Sequence, residues 1–155
     1  MIRRSHTLRA QRGTAMIEFA IGLPVLLFLL LATAEVGRLI SQYNTLTKAV
    51  RDGVRYAAST ASLGTTGIVT VTPAIQSAVA NLVVTGSTTG TGSPLLPGFS
   101  TSNVTVTDAG GGYVSVSASY TYSQMVASSL PTFGLGAPIN LAVTLNSAQV
   151  MPGLP

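Results

Sequence analysis

Residues 16–34 are apolar except for Glu18 and Thr33, and no other feature restricts the fold as strongly. Nineteen residues at a rise of 1.5 Å make a helix roughly 28 Å long, about the hydrocarbon thickness of one bilayer. Pro24 lies inside the run. It takes the hydrogen-bond partner from the carbonyl of Ala20 and is expected to kink the helix, which lipid-embedded helices tolerate better than soluble ones. Glu18 sits at the mouth of the run. An ionisable group there is costly in lipid, so it reads as a functional residue.

The charge distribution sharpens this reading. Only 8% of the 155 residues are charged, against about 25% in ordinary soluble domains. The basic residues are Arg3, Arg4, Arg9, Arg12, Arg38, Lys48, Arg51 and Arg55, and beyond Arg55 the single charge is Asp108. A basic end of this kind makes no footprint for nucleic acid across a folded face, so nucleic acid is not an expected partner. The chain has no cysteine, and its one histidine is His6. Disulfides, thiolate metal sites, cysteine nucleophiles and lipid attachment at cysteine are therefore excluded. No enzyme activity, cofactor or metal is expected.

Beyond residue 34 the pattern turns amphipathic. Leu39, Tyr43, Leu46, Val50, Val54 and Ala57 recur at helical spacing, with Arg38, Ser41, Gln42, Thr45, Lys48, Arg51 and Arg55 off that face. No turn signal intervenes, so one helix is expected from the leader junction near residue 13 to Ser59. Gly64 and Gly67 mark a loop, and 67–71 reads as a short strand. Thr72 followed by Pro73 is a helix start, with Ile75, Ala78, Val79 and Leu82 as the buried face and an end before Gly86. Residues 85–101 have the composition of a mobile loop. Three alternating runs follow: Val104 and Val106; Val114, Val116, Ala118, Tyr120 and Tyr122; Ile139, Leu141, Val143 and Leu145. Period two predicts half-buried antiparallel strands, the first two joined by a hairpin at Asp108-Ala109-Gly110-Gly111-Gly112. The fold class is α+β: a long transmembrane and amphipathic helix, then a small head with one short helix and a three-stranded antiparallel sheet. The boundaries are a basic leader 1–13, a membrane half 14–34, an amphipathic half 35–59 and a head 60–155.

The stretches RGTAMIEFAIGLPVLLFLL, AEVGRLI and AVRDGVRYAA, in this order, resemble the TadE-like family. Its members are small minor pilins, or pseudopilins, of the tight-adherence (Tad/Flp) pilus. The resemblance covers about 45 residues; the strands match only in general character. It implies a leader ending at Gly13, a new N-terminus at Thr14, and Glu18 and Phe19 as the assembly and register residues. Pro24 takes the place of the family's early proline. The implied partners are a prepilin peptidase, other minor pilins, the major Flp pilin, the inner-membrane assembly platform and membrane lipid. The implied place is the bacterial cytoplasmic membrane, crossed once, with the head extracytoplasmic and a possible site in the pilus. Without the leader the four remaining basic residues balance Glu18, Glu35, Asp52 and Asp108. Thr14 departs from the phenylalanine of conventional type IV pilins, so N-methylation is not carried over.

A rival reading starts from the same residues. Residues 23–31 resemble the apolar core of a secretory signal, and Ala32-Thr33-Ala34 is a cleavage site for signal peptidase. A cut there releases an adhesive β-domain beginning at Glu35. Against it, the basic region would be long, would contain Glu18, and the cut would sever a continuous helix. Glu35 is expected to be a solvated carboxylate at the membrane edge, Asp108 a turn former, and Tyr120 and Tyr122 core residues.

Overall fold

A computed structural model describes residues 7–61, 68–125, 129, 130, 132 and 136–154. Among the described residues two α-helices and five strands follow in order, with a 3-10 turn at Thr101–Asn103 before the first strand. They are α1 (Thr7–Thr60), α2 (Pro73–Thr85), β1 (Val104–Gly110), β2 (Tyr113–Thr121), β3 (Ser129–Leu130), β4 (Ile139–Asn140) and β5 (Thr144–Pro152). The predicted α+β class holds. The chain forms two compact units. One contains Met1–Gly37 with Gln124–Leu141; the other contains Arg38–Ser123 with Ala142–Pro155.

α1 is longer than the sequence predicts. It begins at Thr7, inside the basic N-terminal stretch, rather than near residue 13. Leu8, Arg9, Ala10, Gln11 and Arg12 are all good helix formers, and adding residues to an existing helix avoids the cost of nucleation. The assignment is unbroken through Pro24. Thr33 satisfies its hydroxyl by donating to the carbonyl of Leu29 at 2.7 Å, which suits a polar group in an apolar run.

In the larger unit the second half of α1 packs against α2 and the sheet. Leu46, Val50, Val54 and Ala57 are buried, as their spacing predicts. Two residues differ from that expectation. Tyr43 is exposed, and Gln42, placed off the face by its polarity, is buried. The buried stripe runs Gln42, Leu46, Ala49, Val50, Gly53, Val54, Ala57, Ala58 and Ala61. It is therefore rotated toward the small residues, which admit α2 closely. A β-carbon on Gly53 would lie 2.5 Å from Cγ2 of Val83.

α2 starts and stops where predicted. Thr72 accepts a hydrogen bond from the Ile75 amide, Pro73 follows it, and Gly86 closes the helix in the left-handed region. Its buried face differs, consisting of Val79, Ala80, Val83 and Val84. Ile75, Ala78 and Leu82 are half-buried. The strand expected at 67–71 is not formed by residues 68–71. Gly67 and the loop glycine Gly64 lie outside the described residues. Residues 85–101 are anchored rather than free: Leu96 and Phe99 are buried in the core, and the Leu95 amide donates to the carbonyl of Val84.

The main sheet has the order β1-β2-β5, antiparallel throughout. The hairpin falls where expected. Gly111 and Gly112 form its tip with φ of 62° and 83°, values that favour glycine, and Asp108 accepts from the Gly110 amide at 2.7 Å. The third strand is displaced from its expected place. It begins at Thr144 and runs to Pro152, with Leu145 opposite Tyr120 and Ser147 opposite Ala118. Its inward positions include Ser147 and Gln149, while Val150 faces out and is 58% exposed. With polar residues at inward positions, this strand lacks a clean apolar–polar alternation. Ile139 belongs instead to a short pair, β3 with β4.

Tyr120 and Tyr122 are buried, as expected. The Tyr120 ring meets Phe99 edge-on at 5.6 Å, and its hydroxyl donates to the Pro97 carbonyl at 3.0 Å. Burial raises the phenol's pKa above its ordinary value, against smaller lowering effects from the Ser123 backbone and the Arg38 charge. A raised pKa favours folding below the unfolded value and loses that effect as pH climbs through the folded one. Tyr120→Phe is expected to cost about 1 kcal/mol near neutral pH, since the ring stays and one hydrogen bond goes. It should also reduce the loss of stability above pH about 10. Urea unfolding of the two chains at neutral and alkaline pH checks both.

Candidate functional site

The residues singled out from the sequence all lie on α1. Gly13, Thr14, Glu18, Phe19 and Pro24 follow one another on a single helix. Thr14 and Glu18 are four residues apart and so share a face. Gly13, Thr14 and Glu18 are exposed, Phe19 is 62% exposed, and Pro24 is half-buried. A β-carbon on Gly13 would meet nothing within 4 Å. Neither packing nor a turn therefore explains a glycine there, which in a helix costs roughly 1 kcal/mol relative to alanine.

Among the described residues, little covers the apolar face. Met16, Ile17, Ile21, Leu26, Leu29 and Leu30 all stand exposed. The most hydropathic 18-residue window of the helix has a mean hydropathy of 2.4 and none of it is buried. One long helix of this composition fits a single-pass membrane protein, because water would leave this surface strongly unfavourable.

Glu35 departs from its expected role. It is 2% exposed, not solvated, and its Oε1 accepts a hydrogen bond from the Met125 amide at 2.9 Å. Residues 124–141 fold onto the same unit as the helix up to Gly37, which removes the carboxylate from water. The only signal in the sequence was its position directly after the apolar run. Glu35→Ala should cost about 2 kcal/mol locally, because the Met125 amide loses its acceptor. The Met125 amide should then exchange its hydrogen at least tenfold faster, measured by hydrogen exchange.

The larger unit offers little chemistry. A groove of about 650 Å³ between α2 and β1 is lined by Gln76, Asn81, Thr105 and Thr107 without a charged group. Among the described residues, no three His, Cys, Asp or Glu side chains gather where a metal could bind. Asp108 is occupied by its turn.

These features define a class: a chain with one N-terminal helix able to cross a membrane, followed by a small, nearly uncharged α+β unit. Residues 13–55, little more than a quarter of the chain, match the family model described as TadE-like protein, so this stretch is similar to that family. The match points to association with a Tad pilus. It opens at Gly13 and ends before the second helix and the sheet. No curated protein and no solved structure matches the chain.

Proposed function

We propose that the chain is a minor pilin, or pseudopilin, cut between Gly13 and Thr14 by a prepilin peptidase and used to initiate or cap a Tad pilus. The observation that carries this is the coincidence of three features at one point. The TadE-like match opens at Gly13, the uncovered apolar helix begins just after it, and Glu18 stands one helical turn beyond Thr14. The proposed organisation is a leader 1–13, a membrane half 14–34, an amphipathic half 35–59 and a head 60–155.

The chemistry is that of a substrate and a building block, not of an enzyme. Gly13 lowers local helix stability, so opening the helix around the scissile bond costs less there than elsewhere. Cleavage creates an ammonium at Thr14. Within a bundle of such helices Glu18 pairs with the ammonium of a neighbouring subunit, and lipid penalises any register that leaves either charge alone. Phe19 and the other exposed apolar side chains supply the packing surface, and Pro24 bends the helix to fit. The partners are the peptidase, other minor pilins, the major pilin and the membrane platform. The head lies on the extracytoplasmic side.

N-terminal sequencing or intact mass of the protein from the membrane fraction tests this reading. The expected start is Thr14. A start at Glu35 sinks the pilin reading in favour of a released adhesive domain. An intact Met1 reduces the chain to a plain membrane anchor.

A further inference from the structure

Met125 and the exposed run Ala137, Pro138 and Ile139 belong to a segment that neither the family match nor the proposed assembly role accounts for. Met125 is 57% exposed and lies before the short pair β3 with β4, and Ile139, 47% exposed, belongs to that pair. Residues 124–143 contain no charged side chain at all. On the outward side of the main sheet β1 and β2 carry mostly hydroxyls, Thr105, Thr107, Ser115, Ser117 and Ser119, although Tyr113 and Val150 are also exposed there. An apolar exposed patch in a hydroxyl-rich protein calls for a cover.

The fold shows where that cover is. The Met125 amide is bound to Glu35 Oε1, and Glu35 is the residue directly after the apolar run 16–34. Residues Gln124–Leu141 form one compact unit with the helix up to Gly37. The patch is thus tied to the helix at the height where the run leaves hydrocarbon. We infer that Met125, Ala137, Pro138 and Ile139 form an interfacial anchor that rests in the headgroup region of the bilayer crossed by α1. This rests on the reading that α1 spans a membrane. Such an anchor needs apolar side chains and no charge, and it places the buried Glu35 beneath a cover of protein and lipid.

The absence of cysteine makes the test clean. Four single-cysteine variants of the full chain, Met125→Cys, Ile139→Cys, Leu27→Cys and Asp108→Cys, are labelled with an environment-sensitive fluorophore in phosphatidylcholine vesicles. Met125 holds Glu35 through its backbone, so replacing its side chain leaves that bond in place. In vesicles of lipid brominated near the headgroup, emission at positions 125 and 139 should fall by roughly half, with little quenching by aqueous iodide. Position 108 should show the reverse. Iodide quenching at 125 and 139, with lipid quenching retained at 27, overturns the anchor alone. Equal lipid quenching at 108 also overturns it, since the whole head would then lie on the surface. Loss of lipid quenching at 27 overturns the membrane span, and the anchor with it.

Discussion

Glu18→Ala should leave the chain cut and in the membrane, yet reduce its incorporation into pili by more than a hundredfold. The carboxylate is exposed on a helix whose described neighbours are apolar and exposed, and in lipid such a charge calls for a partner. Removing one member of a buried ion pair typically costs about 3–5 kcal/mol, because the other charge is left alone. Here the stranded charge would be the Thr14 ammonium of a neighbour. Glu18→Gln keeps the shape and loses the charge, so it should behave like alanine. Immunoblots of membranes and of sheared fibres, read side by side, give the ratio. Normal incorporation of either variant would remove Glu18 from the assembly mechanism, while loss of cleavage in both would move it to peptidase recognition.

Gly53→Leu should prevent the larger unit from folding. Gly53 is buried on α1, and even a β-carbon there would stand 2.5 Å from Val83 Cγ2 and 3.5 Å from Val79 Cγ1. Val83 is itself fully buried on α2 and, being β-branched, turns with difficulty. Gly53→Ala is the graded form of the experiment. It gains up to about 1 kcal/mol of helix propensity and loses about 1–3 kcal/mol to overpacking, so the net effect is destabilising. Val83→Ala opens the space. The double variant should therefore be less destabilised than the sum of its parts, the sign of two groups competing for one volume. Thermal unfolding followed by circular dichroism gives the four values. Additive effects would mean that the helices can separate at little cost.

The elements best read from sequence are those whose cause is local. The caps of α2 are Thr72, Pro73 and Gly86, each demanded by backbone chemistry within a few residues. The β1–β2 hairpin follows from Asp108 and three glycines in the same way. The apolar run identifies a helix fit to cross a membrane because a bilayer imposes length and hydropathy on a segment without reference to its neighbours. The start of α1 does not follow the end of the basic stretch, because residues 8–12 are sound helix formers.

Other features had no local cause. β5 carries Ser147 and Gln149 toward the inner face, and its place is set by pairing with β2 along nine residues. The buried faces of both helices shifted toward Gln42, Gly53 and Val83, since close approach of α1 and α2 favours the side that fits over the side that is most apolar. Glu35 looked solvated because its cover is a segment 90 residues away.

The sequence by itself determined a helix long and apolar enough to cross a membrane, the glycine and glutamate at its start, and the turns. Each is a demand that a residue makes of solvent or of its own backbone. The tertiary structure decided which faces meet, where the last strand lies and what covers Glu35. Those outcomes depend on volume and hydrogen-bond pairing between distant residues, which no stretch of sequence carries alone.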